Sequence, residues 1–80
     1  MPVKVYIASN LAGKYRGMVA AQNLKEAARL FETSIYDLRT MGYHLAANPL
    51  DIQLAMSNPG TVYLQLIWPI NDHWTRKDDL

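Results

Sequence analysis

The chain contains no cysteine. Neither a disulfide nor a thiolate metal site can prop its fold, so an apolar core must hold it together. It has no apolar run near the roughly 20 residues that a membrane-spanning helix needs. It has no excess of one charge: eight Lys and Arg against seven Asp and Glu leave a net +1, too little for strong sequence-independent binding to nucleic acid. Two histidines, His44 and His73, are present, without an HxxxH or a Cys/His spacing around them. Asp72-His73 with His44 could hold a metal adventitiously, but the spacing predicts no specific metal site. Glycine-rich phosphate loops are missing too; Gly13-Lys14 reads as a turn. Ser34 or Ser57 could be grouped on paper with a histidine and an aspartate, but no nucleophile elbow places them. The expectation is a protein without catalytic residues, metal or cofactor.

Eighty residues make one domain, expected here over 1–70 with a polar tail at 71–80. Residues 23–42, NLKEAARLFETSIYDLRTMG, are its centre. Asn23 can cap a helix, with Glu26 three residues on completing a capping box. Leu24, Ala27, Ala28 and Phe31 then form one apolar stripe. After Glu32 the pattern restarts: Thr33 or Ser34 can cap a second helix, Ile35, Leu38 and Met41 continue the apolar face, and Gly42 suits a left-handed stop. Neither piece is long enough to stand alone.

On the N-terminal side, residues 2–8 alternate, with Val3, Val5 and Ile7 to one side and Lys4 and Tyr6 to the other. That is a half-covered strand. Residues 9–14 form a loop and 15–21 a return strand, in which Gly17 marks a bulge or a close approach. Register is open: either Tyr15 and Val19, or Arg16 and Met18, share the face of Lys4 and Tyr6. Residues 43–47 have no clear type. Asn48-Pro49 opens a helix to about Met56, against a competing strict alternation through Leu50, Ile52, Leu54 and Met56. Asn58-Pro59-Gly60-Thr61 is a type II turn, and 61–68 is a β-branched, aromatic strand ended by Pro69. Residues 71–80 are polar around Trp74 and are expected to be loose or to fold back through that indole. The class is α+β: an N-terminal β-hairpin, two or three short helices, and a C-terminal strand completing a small three-stranded sheet covered by helices on one face.

The open sheet face would then show Lys4 and Tyr6, with Tyr63 and Gln65 as further candidates. Five tyrosines in so short a chain offer rigid area with a polar tip, which suits interfaces and stacking on bases. Charge is also uneven. Residues 1–31 hold Lys4, Lys14, Arg16, Lys25 and Arg29 against Glu26, and the remainder is acidic. The candidate binding surface is therefore Lys4, Tyr6, Lys14, Tyr15 and Arg16, with Tyr36 and Arg39 contributing. A helix-turn-helix over 23–42 is the rival reading. Its corner carries Glu32 in place of glycine, and its charges cancel, so it lacks the phosphate contacts of a DNA reader.

The run A-A-R-L-F-x-T-S-I-Y-D-L-R from Ala27 to Arg39, then Asn48-Pro49 and Pro59-Gly60-Thr61-Val62-Tyr63, with Tyr6 to Ser9 as a YIAS-like first strand, resembles a class of small phage- and prophage-encoded proteins. What the resemblance implies is context: short, non-enzymatic anti-defence proteins, which grip a host immune effector as anti-CRISPR proteins do or sequester a nucleotide signal as viral sponges do. The expected partner is accordingly a host protein or a nucleotide ligand, with DNA as the alternative. No membrane is involved, the working place is the host cytoplasm, and a homodimer through an exposed sheet edge is compatible with the fold.

Overall fold

A computed structural model describes residues 3–11, 13–67 and 73–79. In chain order they form β1 (Lys4–Leu11), β2 (Tyr15–Ala21), α1 (Leu24–Leu30), α2 (Ile35–Met41), β3 (Tyr43–Leu45), α3 (Pro49–Ser57), β4 (Tyr63–Leu66) and β5 (Thr75–Arg76), then a 3₁₀ turn, Lys77–Asp79. The strands make one antiparallel sheet in the order β3-β1-β2-β4-β5.

The helix starts follow local chemistry. Asn23 Oδ1 accepts from the Glu26 amide at 2.8 Å, Ser34 Oγ from the Asp37 amide at 3.0 Å, and Asn48 Oδ1 from the Leu50 amide at 2.8 Å. Each satisfies a donor that the first helical turn leaves unpaired. Pro49 occupies the first turn of α3, where its missing N–H costs nothing. The Asn-Pro start thus prevails over the alternation that would suit a strand. Gly42 ends α2 at φ 95°. The turn into β4 closes with the Thr61 amide donating to the Asn58 carbonyl at 3.1 Å.

Register decides the faces. Tyr6 lies opposite Val19, and Ala8 opposite Gly17, and directly paired residues share a face. Tyr15 and Val19 therefore lie on the Lys4 and Tyr6 side, and Arg16 and Met18 on the other. The expectation of helices on one face is corrected here. Tyr6, Ala8, Val19 and Ala21 pack under α1 and α2 with Ala27, Ala28, Phe31 and Leu38. Val5, Ile7, Met18, Ala20 and Tyr63 pack on the opposite face with Ala55 of α3, and Trp74 joins them from the side. Small residues make this possible, since Ala8, Ala21, Ala27 and Ala28 let α1 and α2 approach the strands closely. Tyr63 is also buried, its hydroxyl accepting from Asn58 Nδ2 at 3.2 Å.

Among the described residues the sheet has five strands instead of three. One addition, β3, comes from the segment without a clear type. The other, β5, comes from the polar tail: Tyr63 pairs with Arg76 and Leu64 with Thr75, and the Lys77 amide donates to the Val62 carbonyl at 2.8 Å. The indole of Trp74 is the fold-back point. Residues 71, 72 and 80 of the expected tail, Trp68 at the end of the expected last strand with Pro69 after it, and Pro2 at the start of the expected first strand lie outside the described residues.

Candidate interaction surface

The seven candidate residues do not converge on one surface. Tyr6 is 6 % exposed and its ring lies 6.3 Å from that of Tyr43, tilted by 50°. It is a core residue with an aromatic neighbour at the sheet edge. Lys4 is exposed at the start of β1 on the same face, and Lys14 is exposed at the hairpin turn. Tyr15 is half-buried and lines a cavity on the α1–α2 side.

Arg16 stands on the α3 side and is engaged. Its Nη1 donates to Gln65 Oε1 at 2.9 Å, and its guanidinium lies 5.5 Å from the centre of the Trp74 ring. The Trp74 indole N–H in turn donates to Asp51 Oδ1 at 3.0 Å. Gln65, Arg16, Trp74 and Asp51 thus tie β4, β2, the β5 approach and α3 together. Sequence reasoning puts Arg16 on the candidate binding surface; in the structure it ties elements together. Its signal in the sequence was weak, because Trp74 lies 58 positions away in a charged stretch.

Tyr36 and Arg39 remain. They stand one turn apart on α2, so they share a helix face. Leu38 on the inner side is fully buried, which turns Tyr36 and Arg39 outward. Tyr36 is 77 % exposed, the most exposed of the large apolar side chains described. Beyond the end of α2, Tyr43 and Leu45 of β3 are 38 % and 50 % exposed. Sequence reasoning did not place these two in the surface, because a three-residue strand is too short to show a period of two.

The cavity on the α1–α2 side has a volume of about 360 Å³ and is walled by Leu11, Tyr15, Phe31, Met41, Val62 and Leu64. Gly17 is what lets two of these walls close in. A Cβ there would stand 2.2 Å from Leu11 Cδ1 and 2.9 Å from Phe31 Cε1. At the rim, Lys77 Nζ donates to Glu32 Oε2. Glu32 takes φ 61°, a left-handed conformation unusual for a residue with a Cβ. The hydrogen bond from Lys77 and its charge hold the Glu32 carboxyl below the usual carboxylate range.

The serines and the histidine that could be grouped on paper for catalysis or metal binding have ordinary places. Ser34 Oγ is the α2 cap, and Ser57 Oγ donates to the Gln53 carbonyl at 2.7 Å. His44 lies exposed on β3, opposite Ile7. Among the described residues, no three His, Cys, Asp or Glu side chains are grouped to hold a metal ion, and no helix is long and apolar enough to cross a membrane. α1 and α2 lie against β2 and β1, as a packing layer over the sheet. The chain matches no protein-family model, no curated protein and no solved structure.

Proposed function

We propose that this chain is a small, non-enzymatic binding protein of phage type, an anti-defence factor that blocks a host immune effector protein by covering part of its surface in the host cytoplasm. The observation that carries the reading is the outer face of α2. Tyr36 stands almost entirely in water, with Arg39 one turn on and a buried Leu38 fixing the helix behind them. Tyrosine and arginine are the residue types that most often anchor interfaces. Burying a side chain the size of Tyr36 gains roughly 2 kcal/mol before ordering costs. Arg39 adds a planar fork suited to a carboxylate on the partner.

The same geometry favours a protein partner over a nucleotide signal. The cavity has aromatic walls in Tyr15 and Phe31, but the cation lining it, Lys77, is already bonded to Glu32. A phosphate arriving there would have to compete with that carboxylate.

The test is phage plating on a bacterial host that carries a defined defence system and expresses this chain, paired with calorimetric binding of the purified effector. Wild-type chain should restore plating. The double variant Tyr36→Ala, Arg39→Ala should keep the wild-type circular dichroism and lose both plating and binding. Full activity in that folded variant would remove α2 as the contact surface. Release of a nucleotide from the purified wild-type chain would move the reading to sequestration, and retention of promoter DNA in a gel shift would move it to a regulator.

A further inference from the structure

The two edges of the sheet are treated differently by the sequence. One edge, β5, runs straight into Lys77, Asp78 and Asp79, charges of the kind that discourage another strand from docking. The other edge, β3, has no such guard. Residues 42–47 read GYHLAA, with neither proline nor a Lys, Arg, Asp or Glu.

The hydrogen bonds of β3 define what its free side offers. The Ser9 amide donates to the Gly42 carbonyl at 2.9 Å, and the Ala46 amide donates to the Val5 carbonyl at 2.9 Å. These bonds bracket the strand, and bonding positions alternate in an antiparallel pair. Gly42, His44 and Ala46 therefore turn their backbone groups toward β1. Tyr43 and Leu45 turn theirs, two N–H and two C=O, toward the open edge.

We propose that two copies of this chain pair β3 against β3 about a two-fold axis at His44, joining their sheets into one continuous antiparallel sheet. The strand's backbone is complementary to itself in that register. Tyr43 meets Leu45 of the second copy and the reverse, so the four outward groups on each chain are matched in four hydrogen bonds. On the α1–α2 side, the exposed Tyr43 and Leu45 cover one another as aromatic–aliphatic cross-strand pairs. Tyr43 is already steadied there by Tyr6. On the α3 side, His44 meets its own copy in the closer, non-hydrogen-bonded kind of pair.

The ladder is short, so the dimer is weak and concentration-dependent. The pairing is independent of what α2 binds. It would place the Tyr36 and Arg39 faces of both copies on the same side of the joined sheet, which makes the molecule bivalent toward a partner.

The absence of native cysteine gives a clean test. In His44→Cys the only thiol of each chain would sit about 4.5 Å, Cα to Cα, from its copy, within disulfide reach. Under mild oxidant it should form a covalent dimer, whereas Gln53→Cys, on the exposed side of α3, should remain monomeric. Leu45→Pro removes an N–H that donates to no backbone carbonyl among the described residues. Its circular dichroism should match wild type while sedimentation finds it monomeric at concentrations where wild type is dimeric. Cross-linking of His44→Cys no faster than Gln53→Cys, or a wild-type chain still monomeric at millimolar concentration, would overturn the pairing.

Discussion

Gly17→Ala is the substitution on which the packing argument is most exposed. Gly17 sits in the middle of β2 opposite Ala8 and Leu64, and its backbone does not need glycine, since its φ is not among the positive ones. By backbone entropy alone, alanine would stabilise the chain by about 0.4–1 kcal/mol. Sterics oppose this. The new methyl would stand 2.2 Å from Leu11 Cδ1, 3.3 Å from Leu11 Cγ and 2.9 Å from Phe31 Cε1. Both side chains must move. Leu11 can rotate away because the atoms in conflict are near its tip. Phe31 is a ring at 6 % exposure, wedged against α1.

Overpacking of this kind costs about 1–3 kcal/mol. With the entropy gain subtracted, Gly17→Ala should destabilise by up to about 2.5 kcal/mol, centred on about 1 kcal/mol. For a chain whose total stability is of the order of 4–12 kcal/mol, the central value is a Tm drop of roughly 4–8 °C. The diagnostic is the double variant. Leu11→Ala alone opens the cavity further and should cost about 1–2 kcal/mol, but in its presence the alanine at 17 has room. The double variant should therefore fall short of the sum of the two by about 1 kcal/mol. Urea denaturation with unchanged m measures all three. Gly17→Ala at or above wild-type stability, or strict additivity with Leu11→Ala, would refute the claim that glycine is there to admit Leu11 and Phe31.

Two further outcomes follow from side-chain ties across the sheet. Arg16→Ala should lose about 1 kcal/mol by urea denaturation, because the planar guanidinium both bonds Gln65 and lies over Trp74. Arg16→Lys should not restore it, since an ammonium has neither the fork nor the flat face, and full recovery with lysine would reject the stacking role. Glu32 has its carboxyl pKa lowered in the folded chain by Lys77, so its contribution is present at neutral pH and is lost as pH falls from the usual carboxylate range through the folded value. Lys77→Met should accordingly be less stable than wild type at pH 7, with a small gap that narrows as the pH is lowered below the usual carboxylate range and that salt reduces, since the pair is exposed. A gap unchanged by acid would show that Lys77 acts through packing instead of charge.

What could be read in the sequence was whatever a few neighbouring residues decide. Asn23, Ser34 and Asn48-Pro49 start helices because each cap is a contact across two or three positions. Gly42 and Asn58-Pro59-Gly60-Thr61 end segments for equally local reasons. What could not be read was which face each strand turns to which helix, because that rests on the pairing of Tyr6 with Val19, 13 positions on. The alternation of residues 2–8 set Tyr6 beside Lys4 as a polar position, yet tyrosine is apolar enough for its ring to go under α1 and α2. The same pairing sends Arg16 to the opposite face, and β3 was invisible because pairing with β1, not propensity, makes it a strand. These errors share one consequence for function. With short helices packed on both faces, little of either sheet face is left open among the described residues. The apolar groups still in water must then lie on helix backs and strand edges. Tyr36 on the back of α2, and Tyr43 and Leu45 on the edge of β3, are such groups, and that is why the proposed contacts are placed there and not on the hairpin face.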